Sequence, residues 1–136
     1  MIIQEFTLDE YGWFVRVYYI IDKYPLDEIE KDLLALGCDE EDIEKEIEEM
    51  SKFKMNQGFI HSNLNRKMSI IIIGPTSNAT EFQDSLDHEK GHLAMHVSIA
   101  NDIDPFSEKY QYLNGMIGHE MFLVAKEFLC DHCRLK

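Results

Sequence analysis

Basic residues are scarce in this chain. Lys and Arg total 13 against 26 Asp and Glu, a formal net charge of −13. So acidic a chain repels phosphate backbones and anionic lipid, so neither nucleic acid nor membrane is an expected partner. Long hydrophobic runs are missing as well. The run Ile70–Ile73 is a buried strand at most, far short of the roughly 20 residues that span a bilayer. The opening Met1–Phe6 has no basic stretch followed by an apolar one, so no signal peptide is expected. Cysteines are few and odd in number, 3 in all. They cannot make up a disulfide framework, and the simplest placement is a reducing cytoplasm.

What is present suffices for a core. Hydrophobic residues make up 45% of the 136, with 8 Phe and 6 Tyr, which argues against disorder and for one domain. Two stretches compose it. Residues 1–55 read as strands followed by two acidic helices, and 56–136 as a hairpin, a central helix and a C-terminal helix.

Residues 1–8 suit a short strand. Tyr11–Ile21 is rich in aromatic and β-branched residues, and both of its alternating faces are largely apolar. It is expected to be covered on both sides or to meet a partner. Pro25 opens a helix with Leu26, Ile29, Leu33, Leu34 and Leu36 at helical spacing, and Gly37 stops it. Asp39 caps a second helix whose stripe of Ile43, Ile47 and Met50 is surrounded by glutamates. The acidic face is expected to be solvated; its alternative is a surface for a basic partner. Gly58–Ser62 and Lys67–Ile73 form a hairpin about a turn at Asn63–Arg66. His61 is read as a surface strand residue. Asn78, with Glu81 at capping-box spacing, starts a helix over 79–100 that ends in Asn101–Pro105. Ser107 caps a last helix reaching about Leu129, its apolar set including Leu113, Ile117, Phe122 and Ala125.

The third helix carries His88-Glu89-Lys90-Gly91-His92, the pattern H-E-x-x-H. On a helix, His88 and His92 lie one turn apart on one face and can grip one metal ion. Glu89 points partly aside, where it can act as general base on water acidified by that metal. Leu86, Leu93, Val97 and Ile99 are candidates for the core face. The competing description is an amphipathic helix with two surface histidines.

Two histidines hold zinc poorly, and a hydrolytic site usually has three protein ligands. His96 sits another turn on, about 6 Å along the axis from His92, and is read as a packed or supporting residue. Glu108, Tyr112, Gly115 and His119 share one face of the last helix, with Gly115 allowing a close helix approach. Glu108 and His119 are about 16 Å apart along the axis and cannot share an ion. Glu108 is the expected third ligand, with His119 or Glu120 as the alternative. Tyr112 either hydrogen-bonds near the site or packs in the core. Cys130, His132 and Cys133, with Cys38 as the remaining thiol, would make only part of a metal or redox site.

The run from Asn56-Gln57-Gly58-Phe59 through Ser69–Ser77 to Ser85-Leu86-Asp87-His88-Glu89-Lys90-Gly91-His92-Leu93 resembles small zincin-like proteins of bacterial mobile elements and prophages, over residues 56 to about 130. More widely it is similar to zincin metallopeptidases, which have a small sheet, the H-E-x-x-H helix and then a helix bearing a glutamate. That resemblance implies metal ligands at His88 and His92 and a base at Glu89. In similar sequences the next helix often begins with two acids and continues Ala-Tyr-Leu-x-Gly. Here it reads Glu108-Lys109-Tyr110-Gln111-Tyr112-Leu113-Asn114-Gly115, so Lys109 replaces one acid and Gln111 the alanine.

The expected fold is therefore α+β and zincin-like, a small mixed or antiparallel sheet whose hairpin packs on the H-E-x-x-H helix and a C-terminal helix. The expected function is zinc-dependent hydrolysis of a peptide bond in a protein or peptide substrate. Its alternatives are an inactive zincin-like binding protein and an acidic interaction module of a mobile element.

Overall fold

The computed structural model describes residues 2–52 and 58–131. Strands β1 (Ile2–Leu8), β2 (Trp13–Tyr19), β3 (Gly58–Asn63) and β4 (Met68–Ile73) form one sheet in the order β1-β2-β4-β3. β1 and β2 are antiparallel, β2 and β4 parallel, and β3 and β4 antiparallel. Helices α1 (Leu26–Leu36), α2 (Glu40–Ser51), α3 (Ala79–Ala100) and α4 (Glu108–Ala125) complete a mixed α+β fold. The parallel pairing of β2 with β4 joins the two stretches in one sheet, because the hairpin inserts β4 beside β2 and leaves β3 at the edge.

The alternation in β2 explains the layering. Trp13, Val15, Val17 and Tyr19 point to one face, where they pack with Ile71 and Ile73 against α3 and α4. Tyr18 and Ile20 point to the other, with Ile70 and Ile72 against α1 and α2. Apolar residues on both faces of a strand mean helices on both faces of its sheet, and no partner is needed to cover the second.

The helix starts follow the expected caps. Asp39 accepts from the Glu41 amide at 3.2 Å, Asn78 from that of Glu81 at 2.9 Å, and Ser107 from that of Tyr110 at 3.2 Å. Glu81 Oε2 reaches back to the Ser77 amide at 2.9 Å, one residue before the cap. Gly37 ends α1 at φ 92°, a left-handed conformation natural only to glycine.

Two expectations about helix faces and one about a helix end are corrected. Ile99 is on the solvent side of α3, and Phe122 is exposed on α4. α4 stops at Ala125, short of Leu129, because the chain tightens there. The amides of Glu127, Phe128 and Leu129 bond three residues back, to Val124, Ala125 and Lys126. The tighter turn lays Phe128 on Phe82 and Tyr19, with ring centroids 4.9 and 5.5 Å apart.

Candidate metal and hydrolytic site

α3 lies along β3 and β4, with Leu86, Leu93 and Val97 buried beneath it. His88 and His92 are both exposed, at the side of this core stripe. Their Nε2 atoms are 3.1 Å apart. This is the length of a hydrogen bond from one imidazole to the other, and it is also close to the roughly 3.3 Å that would separate two nitrogens on one tetrahedral zinc at about 2.0–2.1 Å.

Glu89 follows His88 round the helix towards β3 and is only 3% exposed. Its Oε2 is shut from solvent and has no hydrogen-bond partner. Burial pushes the carboxyl up to about 7; His88 acts against this and Glu46 reinforces it. Gly58, the first residue of β3, lies against this side chain, and it is the Ile72 backbone that requires a glycine there. A Cβ there would stand 2.8 Å from the Ile72 carbonyl oxygen and 3.4 Å from Glu89 Oε1. A glycine inside a strand often marks such a close approach.

Seven residues further on, the same stripe of α3 carries His96. Its Nδ1 is 2.7 Å from Ser62 Oγ, which is 2.6 Å from Ser69 Oγ. Trp13 Nε1 donates to Ser69 Oγ at 2.8 Å. Indole can only donate, so every proton in the chain is used if Ser69 donates to Ser62 and Ser62 to His96. His96 is then neutral with its proton on Nε2, which agrees with the lowering of its pKa by burial and by His92 and His61. The sequence foretold His96 as a supporting residue but gave no sign of the serines and tryptophan that hold it.

His61 departs from the surface reading. It is half-buried on the opposite face of β3, its ring edge-on to Phe59, and its Nε2 is closed off without a partner. Burial lowers its pKa.

The structure does not bring Glu108 to the histidine pair. α4 packs on α3 through Leu113, Ile117 and Met121, and Gly118 is its close-approach glycine, 3.4 Å from Lys90 Nζ at the Cβ position. Lys90 is roughly opposite His88 and His92 around α3. Glu108 is about 15 Å along the axis from Gly118. The face of Glu108, Tyr112, Gly115 and His119 is turned to solvent, and a Cβ on Gly115 would meet nothing within 4 Å. Glu120 lies on the same distant helix, its carbonyl accepting from Gln4 Nε2 at 2.7 Å. Among the described residues, no group of three His, Cys, Asp or Glu is placed to hold a metal. Cys38 is half-buried and Cys130 exposed. His132 and Cys133 lie outside the described residues.

A cavity of about 580 Å³ opens beside the pair, between α2 and the first turns of α3, with His88 and Glu89 in its wall. Glu46 and Glu49 line it from α2, Glu81 and Asp84 from α3. The acidic face of α2 is thus only partly solvated, and the sequence offered no signal that it would wall this space. No helix among the described residues is long and apolar enough to cross a membrane.

No family model, curated protein or solved structure matches the chain.

Proposed function

We propose that the protein is a zinc-dependent hydrolase acting on peptide bonds, in a reducing cytoplasm, with His88 and His92 as metal ligands and Glu89 as general base. One observation carries this reading: two imidazole nitrogens 3.1 Å apart next to a buried carboxylate oxygen with no partner. An unsatisfied buried acceptor costs stability, so its retention calls for a use. A zinc ion, when bound, supplies Lewis acidity that acidifies water and polarises a carbonyl. Glu89, with its carboxyl raised to about 7, can take a proton from water and pass it to a leaving amine near neutral pH. β3 is the sheet edge next to this centre, and an extended peptide can add there as a further strand.

With two histidines and no third side chain grouped with them among the described residues, zinc would be held weakly and added metal would be needed for activity. The same observation favours a second reading, a zincin-like protein that binds a peptide and cleaves nothing. Zinc titration followed by a Glu89→Gln variant separates these. On the hydrolase reading the variant keeps its zinc affinity and loses peptidase activity by about 10²–10⁴-fold. Unchanged activity would remove Glu89 from the mechanism; a wild-type protein that binds zinc but has no activity would leave the binding reading. Failure to take up zinc at all would favour an acidic interaction module.

A further inference from the structure

The histidine pair supplies half of what a closed zinc site holds. Such a site is a tetrahedron of four donors, and no third His, Cys, Asp or Glu is grouped with His88 and His92 among the described residues. Both imidazoles are exposed beside the core stripe of α3. Two further features of that outer face bear on what completes the set. Met95 and Ile99 continue the row of the histidines and are 39% and 60% exposed. His88, His92, Met95 and Ile99 are spaced by four, three and four, the spacing of a seam between two packed helices. Gly91 lies beside the row, exposed in mid-helix, where glycine weakens a helix relative to alanine. A Cβ on Gly91 would meet nothing within 4 Å, so packing among the described residues does not require the glycine. A second helix laid close along the row makes use of it.

We propose that two copies of the chain pair along this row, so that His88 and His92 of both close on one zinc ion. The two-fold axis runs along the helices, and each residue of the row meets its own counterpart. The two histidine layers hold the metal, and the Met95 and Ile99 layers extend the contact away from it. A second copy is the occupant because it brings the missing donors in the number and kind that the first supplies. No charged residue interrupts the row from His88 to Ile99. That matters for chains of net charge −13, which repel one another at a distance. The acid-rich helices α1 and α2 pack on the other face of the sheet. The inference rests on His88 and His92 as metal ligands and adds a control to the hydrolase reading. Four imidazoles leave no open position on the ion, so the paired form binds zinc and cleaves nothing.

Sedimentation velocity tests this, with zinc content measured on the same samples after gel filtration. EDTA-treated protein should run as a monomer, and half an equivalent of zinc should convert it to a dimer with one ion per two chains. His92→Ala should stay monomeric at that zinc level. Ile99→Glu, which keeps both histidines, should weaken pairing at least tenfold. Leu123→Glu, at a residue 57% exposed on α4, should leave pairing unchanged, and equal weakening by both would overturn the proposal. In unmutated protein the amide signal of Ile99 should shift on pairing, and a dimer that leaves it unmoved would also overturn the proposal. Outside the described residues the chain has two further candidate ligands, His132 and Cys133. The His132→Ala/Cys133→Ala variant should pair as the wild type does; loss of zinc uptake there would place the third ligand within the chain and remove the dimer. The two proposals fail separately. One zinc per chain without pairing removes the dimer and leaves the hydrolase, whereas a one-zinc dimer with no cleavage at any zinc level removes the hydrolase and keeps the dimer.

Discussion

Glu89 and His96 occupy the same stripe of α3, two turns apart, and both face the same side of the edge strand. Their treatment by that strand is opposite. Opposite His96, β3 presents Ser62, and a chain of hydrogen bonds runs through Ser69 to Trp13 across three strands. Opposite Glu89 it presents Gly58, which offers no donor from a side chain. One polar group is built into a hydrogen-bonded chain and the other is buried with an oxygen that has no partner. The same helix and strand therefore hold a stabilising junction at one end and a carboxyl with an unpartnered oxygen at the other.

Substitutions along the stripe can break or sharpen this contrast. Leu93, fully buried between the two groups, is the reference. Leu93→Ala should cost about 3 kcal/mol, with no dependence on pH, read from urea unfolding. Ser69→Ala should cost about 2 kcal/mol, because it leaves the buried Trp13 indole N–H without an acceptor; the same urea series at neutral pH measures it. If Ser69→Ala were neutral, the His96 end would not be the structural one.

Glu89→Gln should have the opposite sign. The folded pKa, about 7, lies above the ordinary value of 4.5, so the folded state holds the proton over this window while the unfolded state releases it. Stability therefore falls as pH rises from 4.5 to 7, and the full penalty applies above 7. In metal-free protein the variant should be more stable at pH 8 by up to about 2 kcal/mol, with the gain gone at pH 4.5. Thermal melts at the two pH values check this, and a destabilised variant at pH 8 would mean that Glu89 is satisfied after all.

The smallest effect concerns His61, the orphan on the other face of β3. Its pKa is lowered by burial, so the unfolded chain takes up the proton first as pH falls below 6.5. The stability it permits is complete above 6.5 and is lost as pH drops through the folded value. His61→Gln should flatten the acid side of the stability curve, with His96 supplying the slope that remains.

Much of the fold could be read from local pattern. The caps at Asp39, Asn78 and Ser107, the hairpin turn and the double-sided β2 all follow from residues close in sequence, where hydrogen-bonding reach and side-chain alternation suffice. The His88–Glu89–His92 arrangement is of this kind, since one helical turn sets it. The misreadings have a common cause. Glu108 and Gly115 were placed by their spacing on α4, but spacing gives only a face, and packing decides which face turns inwards. α4 buries Leu113 and Ile117 and meets Lys90 through Gly118, so the Glu108 face goes to solvent.

By itself the sequence determined the strands, the helix starts and the closeness of two imidazoles, because each depends on bond geometry within a few residues. The tertiary structure alone decided that Glu89 would be buried against Gly58 with one oxygen unpartnered, and that α2 would wall a cavity beside it. It also decided that α4 would lie across the wrong side of α3 to give a third ligand. Those outcomes depend on how whole apolar faces are buried against one sheet, and no short stretch of chain contains that information.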